Sequence, residues 1–480
     1  MHRKIRVMIL STLLLILSAC TPPINPTQPP LETSPGESTP ETTPAQPGEA
    51  TDSSTKIPSP TLSPTPIPES ITLLGVEPDR LRGVTVQFWH SFSGARERLL
   101  QEWVDSFNSS NLFGFTVELT NRANLFNTLQ DAIRAGTPPD LTIAFTNQAA
   151  AWDLASAPPG NGLIDLTDYL NDPVYGYAPD ELNDFYPAFL QQETVDGKLI
   201  GLPTYRSAQV LFYNVSWAQE LGFPTPPINP DEFKQQACAA SQSRGDGMGG
   251  WFINTDTATT LSWIFAFGGE ILTPEGYTFN TPEVSAAFHF LKDLDESGCA
   301  WQPEATFPNA EFANRQGLFY TSSLSGLFFQ QLAFEEAGSE DEWTMIPFPS
   351  PDEQPVTHIF GPAYNVFKTT PEAQLAAWLF VKWASSSANQ ARWTEISGSY
   401  PTRASTIEFL NRYVADTLQW TAAYDLVPVG KNEPAVPSWG KVRWVVSDAA
   451  AQLFSFGFTA AGIPGVLEEL DQTANELGGP

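Results

Sequence analysis

The distribution of apolar positions divides the chain into three stretches. Residues 7–17 are an unbroken apolar run behind Arg3, Lys4 and Arg6, residues 21–70 carry no apolar period, and from residue 84 onward strand-like and helix-like patterns alternate. Residues 84–89 alternate β-formers with polar positions and predict a strand, followed by a turn at residues 91–94. Over 95–107, Leu99, Leu100, Trp103, Val104 and Phe107 form one helical stripe. A second strand is expected at 115–120 and a second helix at 125–133, stopped by Gly136. Pro138-Pro139 then lead into a strand at 140–145. The order βαβαβ implies a largely parallel α/β lobe with ligand space at the strand C-termini, where Trp89, residues 120–122 and residues 145–148 stand. Another strand is expected at 209–213, with helices near 231–240, 259–267, 282–297 and 371–385. Several more helices fall within 404–477, and no solenoid repeat is present.

The first two stretches concern location. A basic stub, an apolar run too short to span a bilayer and the sequence Leu17-Ser18-Ala19-Cys20 read as a secretory signal over 1–19. Leu-Ser-Ala-Cys resembles the lipobox of bacterial lipoproteins. That resemblance implies a lipidated Cys20, a membrane anchor and a place on the extracytoplasmic face of the cell membrane. The alternative is an ordinary secreted protein whose signal ends in Cys. Residues 21–70 hold 14 of the 43 prolines and almost no large apolar side chain, so together with Cys20 they read as an extended tether.

Composition narrows the partners. The chain has 24 basic against 54 acidic residues, and without the signal's Arg3, Lys4 and Arg6 its formal charge falls from −30 to −33. Such a surface argues against nucleic acid and anionic lipid, and lowers the expectation of an anionic ligand without forbidding one in a local pocket. His90, His289 and His358 are scattered without zinc-like spacing, so neither metal nor cofactor is expected. Cys238 and Cys299 are the remaining cysteines. Outside the cytoplasm they are expected to form a disulfide, a reducible free pair being the alternative.

From residue 201 the order of motifs resembles the extracellular solute-binding lipoproteins of ABC importers, in the large sugar-binding family that includes maltose-binding protein. Gly201-Leu-Pro203-Thr-Tyr205 and Leu211-Phe-Tyr213-Asn214 resemble the family's G-x-P stretch and hinge strand. Trp217 to Gly222, a run of prolines and Asp231-Glu-Phe233 follow in the expected order. Residues 311–320 resemble the F-x-x-G-x-x-A-M segment, departing from it at Leu318-Phe319, and residues 343–349 the W-x-x-x-P-x-P strand. The helix at 371–383 and Gly398-Ser-Tyr-Pro401-Thr-Arg403 complete the likeness. It implies a two-lobed α/β fold of the type II periplasmic-binding-protein kind, a ligand cleft between the lobes, a monomer and docking on a membrane permease. The expected lobes are 84–201 plus 311–362, and 202–310 plus 363–480.

A sugar shows hydroxyls at its rim and C–H groups on its faces, so a site should pair aromatic platforms with directional polar groups. Candidates are Trp89 and His90 at the first strand end, Tyr205 and Arg206 before the hinge strand, Trp263 with Glu270, and Tyr320 with Ser322. Tyr364, Arg403 and Trp439 complete the set. For each, core packing is the competing explanation. The expected function is capture of a mono- or oligosaccharide without catalysis. The alternatives are a lipid-anchored glycoside hydrolase, which would need two carboxylates across the bond, and a sugar-binding adhesion or sensing protein. No G-x-S-x-G, H-E-x-x-H or Walker motif is present.

Overall fold

The computed structural model describes residues 72–156, 158 and 162–478. The expectations for the signal, Cys20 and the tether lie outside these residues.

Strand Thr85–His90 pairs in parallel with Thr116–Asn121 on one side and Leu141–Phe145 on the other. Pro362–Val366 then runs antiparallel to 141–145, and Leu202–Pro203 closes this five-stranded sheet. The helix Gly94–Ser110 buries the stripe that the sequence shows: Leu99, Leu100, Trp103, Val104 and Phe107. It packs with Val86, Phe88 and Ile143 of the sheet and with Trp378, Phe380 and Val381 of the helix Pro371–Ala384. Leu129, Ala149, Trp152 and Phe367 make a separate apolar cluster.

The second lobe is a mixed sheet in the order Ala300–Trp301, Gly249–Phe252, Gly317–Ser323, Ser207–Asn214, Thr357–Phe360 and Gly430–Asn432, with Trp343–Ile346 also on 207–214. Its helices start where the sequence places caps. The Asp256 carboxylate accepts the Thr259 N–H at 2.6 Å, and the Thr281 hydroxyl accepts that of Val284 at 3.3 Å ahead of Pro282 at the first helical position. The 430–432 strand and the helices Trp439–Leu453 and Ile463–Glu476 belong to this lobe's sheet and core.

The lobe boundaries differ from the expected ones. Residues 311–362, assigned above to the first lobe, supply strands 317–323, 343–346 and 357–360, all of which pair with 207–214 in the second. Residues 363–384, assigned to the second lobe, supply most of an inner strand and a core helix of the first. Strand 317–323 is buried along nearly its whole length. Its sequence therefore marks it as sheet interior, and only the hydrogen-bond register decides which sheet.

Cys238 and Cys299 are bonded, with Cα atoms 4.4 Å apart, and close a loop of 61 residues inside the second lobe. Strand 249–252 passes so close that a Cβ on Gly250 would stand 1.9 Å from the Cys299 carbonyl oxygen, which only glycine permits.

Candidate functional site

The chain passes between the lobes at Tyr205-Arg206, at Gly361 and again before Tyr400, whose N–H and carbonyl exchange hydrogen bonds with Arg206 at 2.7 and 3.1 Å. These passes orient the sheets. Strand 362–366 begins opposite Phe145, at the C-terminal edge of the first lobe's parallel strands. Strand 357–360, parallel to 317–323 across their shared neighbour, ends at Gly361, so the C-terminal edge of the second sheet points back at the first. Both edges therefore face one crevice.

Arg206 pins the crossing and is completely buried. Its Nη1 donates to the carbonyls of Tyr205 and Pro362, each at 3.0 Å, and its Nη2 to Phe189 O at 3.2 Å and to the Glu193 carboxylate. Glu193 also accepts from Thr146 Oγ1 at 2.8 Å. Burial pushes the Glu193 carboxyl upward and the guanidinium downward, and the attraction between them opposes both shifts. A Cβ on Gly361 would lie 2.3 Å from Tyr205 O, so the two passes touch backbone to backbone.

Beside the crossing, the first lobe has a cavity of about 280 Å³ lined by Ser91, Phe92, Asn124, Phe126, Phe145, Gln148, Trp152, Tyr205 and Pro362 among others. The second lobe has a recess of about 260 Å³ where strands 249–252 and 300–301 end, lined by Asn254, Thr255, Gln302, Glu304 and Tyr320 among others. Aromatic faces beside neutral amides suit a polar organic solute. Among the described residues no cluster of His, Cys, Asp and Glu is arranged to hold a metal, and no helix is long and apolar enough to cross a membrane.

Residues 102–423 match the family model described as bacterial extracellular solute-binding protein. The chain belongs to this family. A putative binding protein of Brucella abortus strain 2308 is 24% identical over 340 residues, 69% of this chain and 78% of the relative. The sugar-binding protein MalE of Xanthomonas citri superposes with a TM-score of 0.72 at 21% identity, over 82% of this chain and 97% of that one. The cyclic α-maltosyl-1,6-maltose binding protein of Arthrobacter globiformis gives 0.69 at 20%, over 82% and 99%. These likenesses establish the two-lobed α/β fold.

In this solute-binding protein the sequence candidates fall into two groups. Tyr205 lines the first cavity and stacks on Trp393 with centroids 5.5 Å apart. Trp89 is half-buried at the same edge, with Arg122 4.5 Å above its ring. His90 is buried; desolvation lowers its pKa, and its Nδ1 accepts the Phe92 N–H at 3.1 Å, which helps to shape the cavity wall. Tyr320 lines the second recess, and Ser322 is buried two residues on along the same strand.

The other candidates lie elsewhere. Arg206 is the crossing pin. Trp263 has no exposed surface and sits 5.1 Å from each of Phe233, Phe290 and Phe348. Tyr364 is in the first lobe's core, and Trp439 is buried with its Nε1 donating to Glu433 at 2.8 Å. Glu270 is exposed beyond the far end of the ten-residue helix Thr257–Ala266, about 15 Å from the end that starts at the crevice edge. Arg403 pairs with Asp184 at 2.7 Å inside the first lobe. Large side chains at helix spacing were thus core more often than platform. Phe92, Phe126, Trp152, Asn254 and Gln302, which line the recesses, were not singled out in the sequence; strand ends and the turns after them are the signal that marks Phe92, Asn254 and Gln302.

Proposed function

We propose that this protein captures a carbohydrate outside the cytoplasm and delivers it to the permease of an ABC importer, held to the membrane through a lipid on Cys20. The observation that carries this reading is the crevice itself. Two sheets turn their C-terminal edges to one hinge, and the recesses there combine aromatic faces with amide side chains. Tyr205 and Phe92 offer surfaces for the C–H faces of a sugar; Asn124, Gln148, Asn254 and Gln302 offer paired donors and acceptors for its hydroxyls. Family membership supports solute capture rather than turnover, and structural neighbours such as the Xanthomonas citri protein are named for the sugars they bind. Trp89, His90, Tyr320 and Ser322 are retained as site residues at the two edges.

The test is a thermal-shift screen over mono- and oligosaccharides. A ligand that binds only the folded state raises Tm with concentration, and a panel with no effect at millimolar concentration contradicts the reading. For the anchor, palmitate labelling of the expressed chain should vanish in Cys20→Ser; unchanged labelling contradicts it.

A further inference from the structure

Resting on the carbohydrate reading above, we infer that the preferred sugar is acidic: a saccharide whose anionic group, a carboxylate or a phosphate or sulfate ester, docks at the first-lobe cavity bordered by Arg96 and Arg122. Acids outnumber bases 54 to 24 in this chain, and more than half of the described basic residues hold a carboxylate within 4 Å. Arg96 and Arg122 form no ion pair among the described residues. Each instead lies over an aromatic ring at the crevice edge: Arg96 over the cavity-lining Tyr205 at 5.8 Å, Arg122 over Trp89 at 4.5 Å. A guanidinium laid on a ring keeps its N–H fork free for an oxyanion.

The cavity wall agrees with that charge. None of its lining residues is acidic. The nearby carboxylates are engaged elsewhere, Glu97 by Asn121 Nδ2 at 2.7 Å and Glu193 by Arg206 and Thr146. The helices Leu125–Arg134 and Thr146–Ala155 begin at the cavity and Gly94–Ser110 starts just past its Phe92; no N-cap side chain accepts from their first turns, and the Gln148 amide oxygen takes only the Phe145 N–H, at 3.4 Å. Their partial positive charge adds to that of the arginines. Across the crevice the helix Trp439–Leu453 starts against the helix Thr146–Ala155, a Cβ on Gly440 falling 3.4 Å from Asn147 Nδ2, and it brings Lys441 with no ion pair among the described residues. The second-lobe recess carries Glu304, which repels an anion and suits hydroxyls. The charged end is therefore assigned to the first lobe.

Calorimetric titration of the full chain tests this with sugars matched except for the acid: a neutral hexose oligomer, its hexuronate counterpart, and the hexose phosphate and sulfate, with inorganic phosphate as competitor. An acidic member should bind at least tenfold more tightly than the neutral one in low salt, with the gap narrowing as salt rises. Which acid wins identifies the anion. Arg96→Gln and Arg122→Gln should each remove most of the gap while leaving Tm unchanged, and Arg→Lys should restore only part of it. Equal or tighter neutral binding overturns the inference and leaves the carbohydrate reading standing. A gap that survives both Gln variants overturns the assignment to these arginines. Inorganic phosphate that competes as well as the acidic sugar overturns the saccharide. Binding by none of the sugars overturns the inference together with the carbohydrate reading.

Discussion

Arg206 divides its guanidinium between the Glu193 carboxylate and the carbonyls of Tyr205, Pro362 and Phe189, so charge and backbone geometry at the crossing share one side chain. Arg206→Met leaves Glu193 buried without its partner and should cost about 3–5 kcal/mol at pH 8. In that variant the Glu193 pKa rises further above its unfolded value. Folding then takes up a proton as the pH drops, and the deficit shrinks between pH 8 and pH 5. Urea midpoints at the two pH values check this, and a constant deficit speaks against it. His358 has the opposite sign. Burial pushes its pKa down to about 3, so the fold holds it neutral while the unfolded chain titrates near its ordinary 6.5. Its contribution is complete above that ordinary value and is lost progressively as pH falls toward 3. His358→Gln should flatten the acid limb relative to the parent, and superimposable slopes would rule the effect out. Trp263, packed among three phenylalanines, should cost about 3–5 kcal/mol as Trp263→Ala while leaving the ligand affinity of the folded fraction unchanged. A selective loss of affinity would place it in the site after all.

Among elements, the bond between helix Pro230–Arg244 and the residue just before strand Ala300–Trp301 ties two neighbours of strand 249–252. The joint substitution Cys238→Ala, Cys299→Ala should lower stability by about 4 kcal/mol, the loop-closure value for a ring of this length. Guanidinium unfolding measures it, and a change under about 1 kcal/mol would mean that the unfolded chain is already restrained. Helices and strands were legible wherever a periodic stripe met a cap: Pro282–Glu296 and Pro371–Ala384 begin at the Thr-Pro pairs that announce them. The strand Gly249–Phe252 was not singled out; it is four residues long, fully buried and led by two glycines, so it shows no alternation. Pairing was also hidden. Nothing local to 317–323 names 207–214 as its neighbour. Positions at the crevice edge were legible where a strand runs directly into a turn, as at Trp89 and Tyr205. They were misread where an aromatic such as Trp439 served a buried carboxylate instead.

At the scale of the molecule, three passes of chain join the lobes, and two of them meet at Gly361 with no room for a side chain. Such close packing at the crossing favours rotation of one lobe against the other over a change within either. Under the proposed function, the sugar identified by thermal shift should reduce the radius of gyration in small-angle scattering; tight binding without compaction would favour a rigid lectin-like binder. The interleaving of the lobes bears also on the order in which the molecule is completed. Strand Pro362–Val366 stands inside the first sheet, between 141–145 and 202–203, and the helix Pro371–Ala384 fills the core beneath it. A chain that is synthesised or threaded through a membrane amino terminus first therefore carries an unfinished leading lobe until nearly the whole second sheet has followed. Its early half stays pliable for passage, and maturation waits on a segment encoded far downstream.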